Sequence, residues 1–117
     1  MEVYKADKVE VFIKSLNFKD LEAEKIDDTL LSKYLKYVHV LGQLEVKCIK
    51  ENNLSEIENL FYSRYYWFNQ FKKRYYTLYG HDEGLEQQSF KMLSDYNERV
   101  PEKIDWSILE QIENNSI

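Results

Sequence analysis

Arg74 and His81 are the two side chains of this chain whose types and spacing could carry out a reaction. Six residues separate them. A guanidinium is always charged, and a histidine can gain or lose a proton near neutral pH. This pair is therefore the pattern to weigh for an enzyme. The alternative is structural: an arginine whose charge offsets the macrodipole near a helix end, followed by a histidine in a loop.

The Arg74–His81 spacing resembles the R-x4–6-H signature of HEPN-type ribonucleases. These are small all-α proteins in which the arginine and the histidine act together on the RNA phosphodiester, usually across a homodimer. The resemblance implies a HEPN-like ribonuclease with Arg74 and His81 as catalytic residues. The chain departs from the pattern because no Asn or Asp follows the arginine, and because Gly80 directly precedes the histidine. We therefore predict that the protein is not an enzyme.

Metal-binding and nucleophilic patterns are sparse in the sequence. Cys48 is the only cysteine, and His39 and His81 are the only histidines. No pair has the spacing C-x-x-C, H-x-x-x-H or E-x-x-H that zinc and di-iron sites use. The glycines stand apart from one another, so no loop can cradle a phosphate. The sequence predicts no metal site and no cofactor, with Cys48 as a small residue of the core.

Residues 61–80 read FYSRYYWFNQFKKRYYTLYG, with ten aromatic residues, four basic ones and none that is acidic. On a helical wheel at about 100° per residue, most large side chains fall on one arc, which predicts a core face: Leu54, Ile57, Leu60, Phe61, Trp67, Phe68, Phe71, Tyr75, Leu78 and Tyr79. A second set falls beside that arc, and we call it the Tyr/Lys shoulder: Tyr62, Tyr65, Tyr66, Asn69, Lys72, Lys73 and Tyr76.

The Tyr/Lys shoulder is the predicted partner-binding surface. Tyrosine is common where one end of the ring is buried and the hydroxyl stays wet, as at protein interfaces and on surfaces that stack nucleobases. We expect a protein partner there. Trp106 falls outside the apolar arc of the last helix, and it either packs against a second neighbouring helix or serves as a further exposed anchor. Three alternatives stay open: self-association into a homo-oligomer, binding of nucleic acid, and burial of the shoulder under neighbouring helices.

Glu45 and Arg64 break the apolar faces of the helices that carry them. In an antiparallel hairpin that turns near residue 53, position 45 lies opposite about 61, one helical turn from 64. An unpaired buried guanidinium is very costly. We predict that Glu45 and Arg64 form an ion pair in or beside the core, where it fixes the register of the two helices.

Helical periodicity extends over most of the chain. Residues 29–51 carry apolar side chains at alternating spacings of four and three, which predicts a long helix. A second long helix is predicted for 55–79, with Ser55 and Glu58 as its capping box. The short loop between them predicts an antiparallel hairpin.

Shorter helices are expected on both sides of the hairpin. One begins with Asp7 as N-cap, and one holds Phe18, Leu21 and Ile26 after a cap formed by Asn17 with Asp20. Another follows Asp82, and a last one runs over 104–112 before the chain frays at 113–117. The fold class is all-α: a single domain, 1–117, forming a bundle of five or six helices.

Composition agrees with a small cytoplasmic protein. The chain is 44% hydrophobic, has three glycines and one proline, and has one cysteine, which suits a reducing compartment. It has no apolar segment for secretion or for spanning a membrane. The net charge is −5, so the basic 61–80 stretch is a local feature of an acidic chain.

The amino-acid composition bears on the source of the chain, and one further likeness bears on its role. Residues with AT-rich codons number 47, against 9 with GC-rich codons, which favours a phage or mobile element of an AT-rich host. The segments LEAE (21–24) and SKYLKY (32–37) are similar to the helical recombination-mediator proteins of tailed phages, which assist the loading of a recombinase on single strands. This likeness implies a nucleic-acid accessory role. We prefer the prediction that the protein is an inhibitor, adaptor or assembly factor that binds another protein.

Overall fold

A computed structural model of the chain describes residues 3–16, 28–101 and 103–114. These residues form five α-helices and no β-strand, which confirms the predicted all-α class. The helices are α1 (Ala6–Leu16), α2 (Thr29–Glu51), α3 (Leu54–Tyr79), α4 (Glu83–Arg99) and α5 (Trp106–Glu113).

Aspartates begin three of the helices. The side chains of Asp28, Asp82 and Asp105 each accept a hydrogen bond from a backbone N–H in the first turn of α2, α4 and α5, which satisfies one of the amides that a helix start leaves unpaired. Asp7, expected as the cap of α1, instead lies inside its first turn, because the helix already begins at Ala6.

The turn between α2 and α3 is shorter than predicted. Asn52 adopts the left-handed conformation (φ 57°), which ends α2. Asn53 is the N-cap of α3 and accepts a hydrogen bond from the backbone N–H of Glu56 at 3.5 Å. The predicted capping box of Ser55 and Glu58 is therefore wrong, because Asn53 takes the capping position and Ser55 is already helical.

Helices α2 and α3 run antiparallel. Asp28 at the start of α2 bonds to Arg74 near the end of α3, and Glu45 in the second half of α2 bonds to Arg64 in the middle of α3. Helices α2, α4 and α5 all pack on α3, while α1 packs on α2.

Tyr4, just before α1, joins the N-terminal part of the chain to α3. Its backbone N–H donates to the hydroxyl of Ser63 at 2.7 Å. The indole N–H of Trp67 donates to the carbonyl oxygen of Tyr4 at 3.1 Å. The ring of Tyr37 from α2 meets Trp67 edge to face, with centroids 4.9 Å apart. The core is therefore centred on the middle of α3.

The ends of α3 are outside that core. Leu54, Leu78 and Tyr79 were predicted to be buried, but they are 43%, 42% and 58% exposed. The buried residues of α3 all lie between Ile57 and Phe71. The wheel gives only the direction in which a side chain points. It does not show how far along this 26-residue helix the neighbouring helices extend, and the first and last turns remain exposed.

Two predicted segments lie outside the described residues: the short helix of Phe18, Leu21 and Ile26 with its cap of Asn17 and Asp20, and the end of the chain from 115. Within the described ranges, Glu113 is still helical. No helix among the described residues combines the length and apolarity needed to cross a bilayer.

Candidate functional site

Three residues of the Tyr/Lys shoulder are buried against the C-terminal part of the chain. Tyr62, Tyr65 and Asn69 are 1%, 4% and 6% exposed. The hydroxyl of Tyr62 accepts a hydrogen bond from the backbone N–H of Asp105 at 2.7 Å. That of Tyr65 donates to Glu113 at 3.0 Å, and the Asn69 amide donates to the carbonyl oxygen of Ile112 at 3.3 Å.

This burial corrects the prediction that these three residues contact a partner. The alternative, burial under neighbouring helices, holds for them because α5 packs directly over this face of α3. Burial also raises the pKa of the Tyr65 phenol above its ordinary value, and the hydrogen bond to Glu113 adds to that rise. Tyr65 therefore stays neutral and acts as a donor inside the fold.

Three further members of the shoulder are held by α4 and α5. The Lys72 ammonium lies 3.3 Å from Glu86, and the Tyr76 hydroxyl donates to the same carboxylate at 2.7 Å. Partial desolvation and Glu86 raise the pKa of Tyr76 to about 12. Lys73 donates to the carbonyl oxygen of Glu113 at 3.1 Å and remains exposed. The lysines expected for nucleic-acid contacts therefore have partners within the fold.

Tyr66 and Trp106 complete the set of predicted partner-binding residues. Tyr66 is half-buried, with its ring edge-on to Trp67 and the Lys5 ammonium 4.7 Å from its centroid. Trp106, the first residue of α5, is 68% exposed. The eight predicted residues therefore do not form one open surface. Some are buried in the interior, some contact α4, and the others occupy separate positions on the surface.

Arg74 and His81 have different neighbours. The Arg74 guanidinium bonds to both carboxylate oxygens of Asp28, at 2.8 and 3.4 Å. That contact lowers the pKa of the Asp28 carboxyl and raises the pKa of Arg74. The His81 ring lies 5.1 Å from the ring of Tyr76. The arginine of the HEPN-like pattern therefore ties α3 to the start of α2.

The residues considered for metal or nucleophilic chemistry are dispersed. Cys48 is a buried free thiol, and burial raises its pKa, which disfavours the reactive thiolate. His39 is exposed on α2. In the described part of the chain, no three His, Cys, Asp or Glu side chains are grouped so that they could hold a metal ion.

Glu45 and Arg64 form an ion pair at the α2–α3 contact, through two nitrogens of the guanidinium and both oxygens of the carboxylate. Their side chains are 10% and 20% exposed. Gly42, one turn before Glu45, lies beside this pair: a Cβ at this position would lie 3.5 Å from Cδ of Arg64, at ordinary van der Waals contact. Burial raises the pKa of Glu45, although Arg64 and then Arg99 act in the opposite direction.

The ion pair lies at the bottom of a groove between α2 and α4. Both helices pack on α3, but no Cα atom of α4 lies within 8 Å of α2. Three depressions of about 340, 170 and 370 Å³ follow one another along this gap and share lining residues. We call it the α2–α4 groove, and its main walls are Gly42, Val46 and Ile49 from α2 and Gln88, Asp95 and Arg99 from α4.

The two walls of the α2–α4 groove differ in their content of exposed aliphatic side chains. On the α2 side, Val46 and Ile49 are 47% and 40% exposed, and the polar His39, Gln43 and Lys50 lie beside them. The α4 side is polar, because Gln88, Asp95 and Arg99 recur at spacings of seven and four on one helical face. Two exposed aliphatic side chains bordered by polar ones on both walls suit an amphipathic segment.

Sequence reasoning did not find this groove. Val46 and Gly42 fall beside the apolar stripe of α2, and Val46 alone reads as an ordinary surface residue. The available signal was the combination of Gly42 and Glu45. A glycine within a helix is unfavourable by about 1 kcal/mol relative to alanine, and this one lies one turn from a glutamate in an apolar stripe.

In comparisons with known proteins, no family model, no curated protein and no solved structure matches this chain. The geometry of the described residues is therefore the basis for any functional conclusion.

Proposed function

We propose that this protein acts without catalysing a reaction, by binding a protein partner in the α2–α4 groove. The observation that carries the proposal is the position of Val46 and Ile49. Both are aliphatic and at least two-fifths exposed, and they line the same concave surface above the Glu45–Arg64 ion pair.

The groove offers free energy of binding that the buried part of the Tyr/Lys shoulder does not. Apolar surface removed from water contributes about 25 cal/mol per Å², so a partner gains by covering Val46 and Ile49. In contrast, the hydroxyls of Tyr62 and Tyr65 already have partners in the fold. A protein that bound there would first have to displace α5.

The ion pair contributes specificity to the proposed site. Glu45 and Arg64 satisfy each other, so a partner does not have to supply a countercharge at the floor of the groove. A partner that placed an apolar side chain directly over them would desolvate both charges at a cost of several kcal/mol. The floor therefore disfavours segments that are apolar on every side.

The test is an affinity capture from lysate of the source cell, with three forms of the tagged chain: wild type, Val46→Asp and Val11→Asp. Val11 is a matched control because it is also an exposed valine, 60% exposed on α1. We expect one stoichiometric protein with the wild type and with Val11→Asp, and its loss with Val46→Asp. Each capture is repeated after nuclease treatment and at raised salt.

Two outcomes contradict the proposal. Capture that disappears on nuclease treatment and falls steeply with salt indicates a nucleic-acid accessory protein. A protein partner that binds all three forms equally places the interface elsewhere, with exposed Trp106 as the next position to substitute. A ribonuclease is tested separately by incubating the purified chain and its His81→Ala variant with RNA.

A further inference from the structure

The length of the α2–α4 groove sets the size of the segment that fits it. The lining residues extend from Val38 to Lys50 on α2 and from Gln88 to Arg99 on α4. The two walls therefore span twelve and eleven residue steps, which is about 16 to 18 Å at a rise of 1.5 Å per residue. A partner helix of about three turns matches this length.

A helix suits the groove better than an extended segment. An extended peptide leaves its backbone N–H and C=O groups to be paired by the edge of a β-sheet, and the described residues contain no strand. A helix pairs its own backbone groups, and its side-chain ridges pack between those of two neighbouring helices.

Two cations mark the end of the groove nearest the α2–α3 turn. The depression of about 370 Å³ there is lined by Val46, Ile49, Lys50 and Arg99, with no carboxylate among its described lining residues. Neither Lys50 nor Arg99 has an ion-pair partner within 4 Å in the described part of the chain, whereas Arg64, Lys72 and Arg74 are all paired. This end therefore combines an apolar surface with two cations that make no direct ion pair, although Arg99 also faces Glu45 and Asp95 in the adjoining depression.

We propose that the α2–α4 groove binds an acidic amphipathic helix of a partner protein. Apolar side chains at i, i+3 or i+4, and i+7 of that helix pack on Val46 and Ile49, and one or two carboxylates flanking them pair with Lys50 and Arg99. This inference rests on the proposed function and adds the chemistry of the partner. Binding by this pattern depends on both the aliphatic wall and the positive charge at one end.

The probe is a displayed library of helical peptides of about fourteen residues, four turns, with all surface positions varied among apolar, acidic, basic and neutral polar side chains. The immobilised baits are the wild-type chain, Val46→Asp, Val11→Asp and the double variant Lys50→Glu/Arg99→Glu. Circular dichroism and urea unfolding of each bait establish that it is folded. Enriched peptides are then synthesised and their Kd measured by fluorescence anisotropy.

We expect peptides selected on the wild type to carry an apolar stripe flanked by Asp or Glu, and to bind Val11→Asp equally well. Lys50→Glu/Arg99→Glu is expected to weaken them about tenfold, because two contacts between exposed charges are lost and the reversed charges repel an acidic peptide. The double variant is expected to select basic peptides in their place.

Other outcomes overturn the inference and separate it from the proposed function. Peptides that need Val46 but are neutral or basic, or are unaffected by the Lys50/Arg99 double variant, disprove the acidic partner and leave a groove-binding function standing. No enrichment over Val46→Asp refutes both. Self-association of the wild-type chain that Val46→Asp abolishes, seen by analytical ultracentrifugation, identifies a second copy as the occupant and likewise overturns the acidic-helix assignment.

Discussion

Two faces of α3 show how differently one helix can be used. The face toward α5 presents Tyr62, Tyr65 and Asn69, all polar at the tip, and every one is buried and hydrogen-bonded within the chain. The face toward the gap between α2 and α4 presents Arg64, which is paired with Glu45 and remains in contact with the groove. The first face stabilises the fold, and the second forms the floor of the candidate site.

The difference teaches that tyrosine content alone does not identify an interface. A phenol is useful inside a helical bundle because its ring packs while its hydroxyl bonds to a carboxylate or to a backbone group of another helix. Here Glu86 and Glu113 supply those carboxylates from α4 and α5. The open surface is instead made of aliphatic side chains beside charged ones, which are individually unremarkable in the sequence.

The largest expected effect is on the covered face. Tyr62→Ala removes a ring that is 1% exposed and is expected to lower the free energy of unfolding by about 3–5 kcal/mol, as for other large aromatic deletions in cores. Urea denaturation measures it. Tyr79→Ala is the matched control on the same helix, because Tyr79 is 58% exposed. Equal losses for the two variants would show that the face toward α5 is open.

Breaking the ion pair is expected to have the next largest effect. Glu45→Ala leaves the Arg64 guanidinium, 20% exposed, without its carboxylate. We expect a loss of about 2 kcal/mol in the free energy of unfolding, below the 3–5 kcal/mol of a fully buried pair because the groove admits water. The double variant Glu45→Leu/Arg64→Met is expected to lose less than the sum of the single substitutions. Additive losses would mean that the two side chains do not interact.

Acid sensitivity provides a smaller test at the other end of α2. The bond from Arg74, followed by the backbone amide of Leu31, lowers the pKa of Asp28 below its unfolded value. A lowered pKa gives stability that is present above the unfolded pKa, about 4, and is lost as the pH falls through the folded one. We expect Asp28→Asn, which keeps an N-cap side chain, to reduce the fall in unfolding free energy below pH about 4.

Arg74→Gln is the companion variant for that pH series. It removes the first cause of the Asp28 shift while the aspartate stays in place, so it too is expected to flatten the acid limb of the stability profile. If both variants keep the wild-type pH dependence, the Asp28–Arg74 contact does not persist in solution.

The smallest expected effect on stability is in the α2–α4 groove. Val46→Asp changes a side chain that is 47% exposed, and we expect the free energy of unfolding to shift by no more than about 0.5 kcal/mol. Thermal and urea unfolding of Val46→Asp and Val11→Asp are compared directly. A loss of several kcal/mol at Val46 alone would place this residue inside the fold and remove the groove as a binding site.

The sequence carried enough information for the helices and for the Glu45–Arg64 contact. Apolar spacing located α2 and α3, and counting back from the turn put position 45 within one turn of position 64. The first inference concerns single helices and the second concerns two helices that are adjacent in the sequence. Both depend on local periodicity and on the length of the loop, which can be read directly from one sequence.

The shoulder and the groove depend on how non-adjacent helices are arranged, and periodicity does not contain that information. A wheel shows that Tyr62 and Tyr65 point away from the main apolar arc, but only the position of α5 decides that they are buried. In the same way, Val46 becomes part of a groove only because α4 packs on α3 and not on α2. The prediction therefore placed Tyr62 and Tyr65 on an exposed surface, and it assigned no role to Val46.

The central claim is that the α2–α4 groove is open to solvent while the face toward α5 is closed. It is tested most directly by NMR in the presence of a soluble paramagnetic agent, which broadens signals according to their distance from the solvent. The account predicts strong broadening of the Val46 and Ile49 methyl signals and protection of the Tyr62 and Tyr65 ring signals. Protected Val46 and Ile49 methyls, or tyrosine rings broadened as strongly as those methyls, would contradict it.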